Sequence, residues 1–147
     1  MPSSDTSPQI DQLVEVMRGL DHQSYETLLA ELMARDSTLA EAILEAMFSF
    51  DDLVYVTDRG MQILIKEIDR DLLTRALKSA SDEVTHKILN NLSKRARQNL
   101  LEEIDLLPRM RLSEVKEAQR SISRLARSLE EAGKIVVVRP DDDDPLV

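Results

Sequence analysis

The sequence predicts an all-α protein, and three observations carry that prediction. Only three Gly and five Pro interrupt the 147 residues, so helix breakers are scarce. Apolar residues recur at i, i+3, i+4 and i+7 along most of the chain, the spacing of one buried helical stripe. The single β-like run, Ile135 to Val138, is too short to imply a sheet. The length fits one domain, or two small helical units sharing a core.

The elements follow in order. Pro8 opens a helix with Ile10, Leu13, Val14, Met17 and Leu20 on one face, and Tyr25, Leu28, Leu29, Leu32 and Met33 repeat the spacing. Asp36 or Ser37 caps a third helix bearing Leu39, Ile43 and Met47. These three form a small unit over residues 8–46, and the tetrapeptide Met47-Phe48-Ser49-Phe50 follows, holding both Phe residues of the chain. A second unit, residues 51–138, then begins. Met61, Leu64, Ile65 and Ile68 make one stripe, and Leu72, Leu73, Ala76 and Leu77 make the next. Ser81 caps a helix with Val84, Ile88, Leu89 and Leu92; Ser93 caps one with Ala96, Leu100, Leu101, Ile104 and Leu107. After Pro108, Ser113 caps a long helix carrying Val115, Ala118, Ile122, Leu125 and Leu129, which Gly133 ends. Residues 1–7 and the Asp-rich stretch 139–147 are expected to be disordered.

Composition removes several classes of function. Hydrophobic residues at 42% support a packed core, and 32% charged residues make an ordinary soluble surface. The net charge is -9, of which Asp141 to Asp144 supply four, leaving about -5 for the remainder. That balance argues against a nucleic-acid partner, which calls for a basic stripe to displace phosphate counterions. Without Cys there is no disulfide framework, thiolate zinc site or Cys nucleophile, and His22 and His86 lie too far apart for a short metal-ligand spacing. No signal-peptide core or membrane-spanning stretch is written, so a cytoplasmic protein is expected. No Walker A, GxGxxG, GxSxG or HExxH pattern occurs. The expectation is a non-enzymatic chain with no catalytic residue, metal, cofactor or small-molecule substrate.

Two features invite a functional reading. In the helix from Lys94, the bases Lys94, Arg95 and Arg97 stand at the start and the acids Glu102, Glu103 and Asp105 toward the end. A helix dipole favours the reverse, by about 0.3–1 kcal/mol per charge. Arg95 and Glu102 lie seven residues apart, on one line opposite the stripe of Leu100 and Ile104. The plain alternative is a solvated face with local ion pairs. The other feature is Met47 to Phe50, readable as a core-anchoring link between the two units or as a hinge with alternative orientations.

The ordered motifs resemble a known family. Met47-Phe48-Ser49-Phe50 with Asp51-Asp52-Leu53-Val54 resembles the MFxF-[ED]-[DN]-[IL]-V hinge of the flagellar motor switch family FliG. Asp58-Arg59 with Gln62, then Glu67-Ile68-Asp69, resembles its DDRSIQ…EVD stretch, and Ala76-Leu77-Lys78-Ser79-Ala80 its ALKGA. Asn91 to Ala96 resembles NMS[KQ]RA, Val115 with Glu117-Ala118-Gln119 resembles VEEAQ, and Arg127 to Val136 resembles the RRLE…GEIV ending. Departures from the pattern are Thr57-Asp58-Arg59-Gly60, Ser79 in place of Gly, and Pro108-Arg109 in place of Gly-Pro.

The resemblance implies an armadillo-like right-handed helical superhelix: a three-helix unit, an MFxF hinge and a C-terminal torque domain. It implies a rotor component that meets the cytoplasmic loop of the stator subunit MotA through Lys78, Arg95, Glu102, Glu103 and Arg111, all of which keep the sign of the family's charges. Full-length FliG and FliM are the further partners it implies, at the cytoplasmic face of the inner membrane in the flagellar basal body. At this length the domains with which that family binds FliF and FliM are expected to be missing, and residues 8–46 would dock in trans. Two other readings remain open: a regulatory or adaptor paralogue that keeps the fold without torque, and an isolated helical repeat module such as that of MgtE-type magnesium transporters.

Overall fold

A computed structural model describes residues 8–140. The expectations for residues 1–7 and for the Asp run from Asp141 fall outside the described residues. The chain divides between Ser49 and Phe50 into two compact units.

The first unit holds α1 (Pro8–Gly19), α2 (His22–Arg35) and α3 (Ser37–Met47). The most apolar of the three, α3, packs against both of the others. Val14, Met17 and Ile43 are the buried centre, ringed by half-buried side chains that include Leu13, Leu28, Leu29 and Leu39. The predicted stripes of α1 and α3 are therefore the faces that meet. The α2 stripe is covered less fully: none of its residues is buried, and Met33 is exposed. Three helices are too few to enclose every apolar face.

Local hydrogen bonds set the turns. Asp21 caps α2, its Oδ1 accepting from the Ser24 N–H at 2.7 Å. The Ser24 N–H and hydroxyl donors hold the Asp21 carboxyl below its ordinary range. Asp36 serves two helices at once. Its N–H donates to the Leu32 carbonyl at 2.7 Å, and its Oδ1 accepts from the Leu39 N–H at 3.1 Å. One residue thus ends α2 and starts α3, so of the two candidate caps Asp36 is the one used.

The second unit begins with a 3-10 turn over Phe50–Tyr55 and continues through α4 (Asp58–Glu67), α5 (Arg70–Ala76), a 3-10 turn over Leu77–Ser79, α6 (Asp82–Leu89), α7 (Lys94–Leu106) and α8 (Leu112–Glu131). All the described regular structure is helical, in agreement with the predicted class. The axis of the unit is α8, whose 20 residues rise about 30 Å. It packs against α5, both 3-10 turns and α4. Its buried face carries Val115, Ala118, Gln119, Ile122, Ser123, Ala126 and Leu129, one broad stripe at helical spacing. The small residues Ala118, Ser123 and Ala126 let neighbouring backbones come close.

Ser81 and Ser93 cap α6 and α7 as expected, accepting from the N–H groups of Val84 and Ala96. Ser113 does not cap α8. The helix starts one residue earlier, with Arg111 at the cap position and no side-chain cap bond. The last turn runs as predicted. Gly133 has φ +74, its N–H donates to the Glu130 carbonyl and the Lys134 N–H to that of Leu129, both at 2.9 Å. This is the Schellman arrangement.

Beyond it the chain turns back, and Val137 bridges Val56 in antiparallel fashion. Ile135 and Val137 are buried, and Val136 points outward. The β-like run is therefore a single bridge that seals the core. Close approach here explains Gly60, where a Cβ would stand 2.9 Å from Val56 Cγ1 and 3.2 Å from Ile135 Cβ. Arg139, expected to belong to the disordered stretch, instead holds the returning segment down through a two-pronged pair with Glu130, at 2.9 and 3.1 Å.

Gly133 gives the first test. Gly133→Ala forces a β-carbon into left-handed backbone, which costs roughly 1–2 kcal/mol. Urea unfolding is expected to show an unfolding free energy lower by that amount, read as a lower midpoint with the slope unchanged.

Candidate functional site

Four of the five charged positions singled out in the sequence gather around the packing of α7 on α5. Leu100, fully buried, is the anchor of α7, and α5 is its neighbour. Ala96, Ile104 and Leu107 are half-buried beside it, whereas Leu101, predicted for the same stripe, is 42% exposed. A helix covered on one side buries only the centre of its stripe.

The reversed charge order of α7 holds in the structure: its first turn has no acid and its last turn no base. Neighbouring elements answer part of it. Arg97 turns away from its own helix, and its Nε donates to the Leu89 carbonyl at the end of α6, at 3.1 Å. A base that opposes the N-terminus of α7 therefore satisfies the C-terminus of α6. At the other end, Lys78 extends from the 3-10 turn after α5, and its Nζ donates to the Ile104 carbonyl at 3.5 Å. Lys78 thus brings the cation that the last turn of α7 lacks.

Glu103, half-buried, faces α5. Arg70 Nε donates to its carboxylate at 3.0 Å and the Thr74 hydroxyl donates at 3.2 Å. Arg70 also reaches the Ala96 carbonyl at 3.4 Å, so one guanidinium ties α5 to two turns of α7. Arg95 and Glu102 are different. Both are exposed on the outer face of α7 and neither pairs with any described residue. Two helical turns separate them, about 10.5 Å of rise. Arg111 is exposed at the cap position of α8, and no hydrogen bond or ion pair joins it to the other four.

Several supporting residues had no role in the sequence reading. Buried Gln119 sends its Nε2 from α8 to the carbonyls of Ala76 and Ser79, at 3.0 and 3.3 Å. Those carbonyls bracket the turn bearing Lys78, so Gln119 fixes the base of that side chain. Its signal was a polar residue inside an apolar register, between Val115 and Ile122. Arg70 and Thr74, spaced i and i+4 on the face that meets α7, gave no signal without the partner helix. On the far side, Asp58 accepts from Lys87 Nζ at 3.1 Å and Asn91 Nδ2 at 3.2 Å, clamping α4 to α6. The Lys87 and Asn91 hydrogen bonds keep its carboxyl below the ordinary 3.8.

The hinge candidates lie at the boundary between the units. Met47 ends α3, and Phe48 caps it, its N–H donating to the Leu44 carbonyl at 2.9 Å. Ser49 is half-buried, and Phe50 begins the 3-10 turn. Phe48 and Phe50 are both buried. No group of His, Cys, Asp or Glu suited to a metal ion occurs among the described residues, and none of their helices is long and apolar enough to cross a membrane.

Fold and site together define an all-α protein that displays, on one exposed helix, charge unpaired among the described residues. The model of the FliG C-terminal domain matches residues 30–137, and the chain belongs to that family. It is 40% identical over 138 residues to the flagellar motor switch protein FliG of Bacillus subtilis, and equally to that of Thermotoga maritima. Each alignment takes in 94% of this chain and 41% of the relative, so the chain spans about two fifths of the curated relatives it matches. Among solved structures, full-length FliG from Aquifex aeolicus superposes with a TM-score of 0.78 at 30% identity, covering 87% of this chain and 40% of that one. A crystal structure of residues 116–343 of FliG from Helicobacter pylori gives 0.62 at 36% identity, covering 84% and 54%.

The buttress under Lys78 provides a second test. Gln119→Leu keeps the bulk of the side chain and leaves the Ala76 and Ser79 carbonyls without their donor, a loss of about 1–3 kcal/mol. Thermal unfolding is expected to fall accordingly, with unchanged helical circular dichroism at room temperature.

Proposed function

We propose that this chain is a rotor component of the bacterial flagellar motor switch. In this reading it meets the stator protein MotA electrostatically, for torque generation and for switching of rotation. The observation that carries the reading is the pair Arg95 and Glu102, exposed on α7, set against its dipole and without a partner in the described residues. Lys78 and Glu103 are held by internal contacts on the flank of the same helix, so they shape the local field, and Arg111 extends it to the start of α8.

The energetics suit a repeated contact. Exposed ion pairs contribute about 0.2–1 kcal/mol each. A few of them make a contact that forms and breaks easily, while charge speeds encounter and fixes register. Met47 to Phe50 sets the orientation of the two units in this scheme, and the three helices of the first unit are of armadillo type. The incompletely covered α2 face of that unit offers apolar surface through which the chain docks on full-length FliG, with FliM in the same assembly. The place of action is the cytoplasmic face of the inner membrane, in the flagellar basal body, and no chemistry is catalysed.

Charge reversal tests the stator contact. Arg95→Glu with Glu102→Lys is expected to reduce swimming in soft agar at unchanged protein level, and compensating reversals in the stator loop are expected to restore it. Unchanged motility would favour an adaptor role instead. Attachment is tested by size-exclusion chromatography of the chain mixed with the FliG middle domain. Co-elution at tens of micromolar is expected, and separate elution counts against docking.

A further inference from the structure

The outer face of α7 carries more than its two charges. At positions i, i+4, i+7 and i+11 stand Arg95, Asn99, Glu102 and Leu106, all exposed, and this spacing puts them on one line along a helix. Leu106 is 82% exposed, the most open large hydrophobic among the described residues. Single exposed leucines are common on protein surfaces. The distinguishing feature of Leu106 is its register, one turn beyond Glu102 on the line that begins at Arg95. It takes no part in the packing of α7, which rests on Leu100 with Ala96 and Ile104 at the opposite side.

We infer that Leu106 is the apolar anchor of the contact that Arg95 and Glu102 make, so that the stripe Arg95–Asn99–Glu102–Leu106 receives an amphipathic helix of the stator's cytoplasmic loop. The inference rests on the stator reading above and names the partner's chemistry. Opposite Arg95 the partner helix carries an acid, opposite Glu102 a base, and against Leu106 an aliphatic side chain. The order of charges sets direction and register, because sliding by two turns brings like charges together and sliding by one turn already removes Leu106 from its apolar counterpart. Leu106 contributes the part of the attraction that salt does not screen. Exposed ion pairs alone hold a helix weakly, whereas an apolar side chain buried at the end of the stripe gives the contact dwell time. The other exposed leucine of α7, Leu101, is 42% exposed and lies about 100° from Glu102 around the helix, outside this line.

The experiment compares binding of the full chain and four variants to the intact stator complex in detergent. Binding is measured by biolayer interferometry at low salt and at about 1 M salt, where the screening length shrinks to about 3 Å. Leu106→Ala is expected to weaken binding about tenfold at both salt concentrations. Arg95→Glu is expected to weaken it at low salt only. Leu106→Met keeps the apolar volume and is expected to match the parent, as is the out-of-register control Leu101→Ala. Circular dichroism verifies that each variant folds. If Leu106→Ala binds like the parent while Arg95→Glu is weakened, the anchor is overturned and the electrostatic contact stands. An equal loss in Leu101→Ala also overturns the anchor, because it shows general adhesiveness in place of register. Loss in Leu106→Ala with none in Arg95→Glu overturns the charged register and with it the stripe as a single contact, and no binding by the parent chain rejects both the stripe and the stator reading.

Discussion

The buried face of α8 is the constraint on which the second unit depends. Its stripe from Val115 to Leu129 meets α5, α4 and both 3-10 turns. The small residues Ala118, Ser123 and Ala126 bring those neighbours to short range, and Ile122, fully buried, fills the centre. Gln119 adds direction to this apolar contact, since it bonds to carbonyls on either side of Lys78. The Schellman turn at Gly133 then returns the chain so that Ile135 and Val137 close the same core. A packed core resists deformation, so α8, through α5, gives the exposed face of α7 a rigid base.

A second consequence concerns α7, which looks poorly designed in isolation. Its charges oppose its dipole, and only Leu100 is fully buried. In the folded protein the opposition is shared out. Arg97 serves the end of α6, Lys78 serves the end of α7, and Glu103 is held by Arg70 and Thr74. Arg95 and Glu102 remain directed outward without partners among the described residues. Their unfavourable placement has no internal compensation, and this makes them the natural candidates for external contact. The structure therefore separates five charges of similar appearance in the sequence into those that brace the site and those that present it.

Much of this was legible in advance. The periodic stripes located the helices, Ser81 and Ser93 marked two of their starts, and the Met47 to Phe50 segment stood where the chain divides between its units. Errors arose where a local signal competed with packing. Ser113 has the chemistry of a cap, yet α8 begins one residue earlier, at Leu112. Leu101 fits the stripe of α7 by spacing, yet α5 covers too narrow a strip to reach it. The face of α2 has the period of a buried helix and lacks enough neighbours to bury it. Periodicity reports which side chains share a face, and burial depends on what stands opposite.

The sequence by itself determined the helical class, the order of the elements and the charge pattern of α7, because helix formation, capping and side-chain spacing are local properties. Tertiary structure alone decided which of those charges are occupied. Arg70 reaches Glu103 across 33 residues and Gln119 reaches Ala76 across 43, and no local rule foretells such pairs. The distinction between a bracing charge and a presented one is a fact about neighbours in space, created when α5, α7 and α8 bury their apolar faces and carry their polar side chains with them.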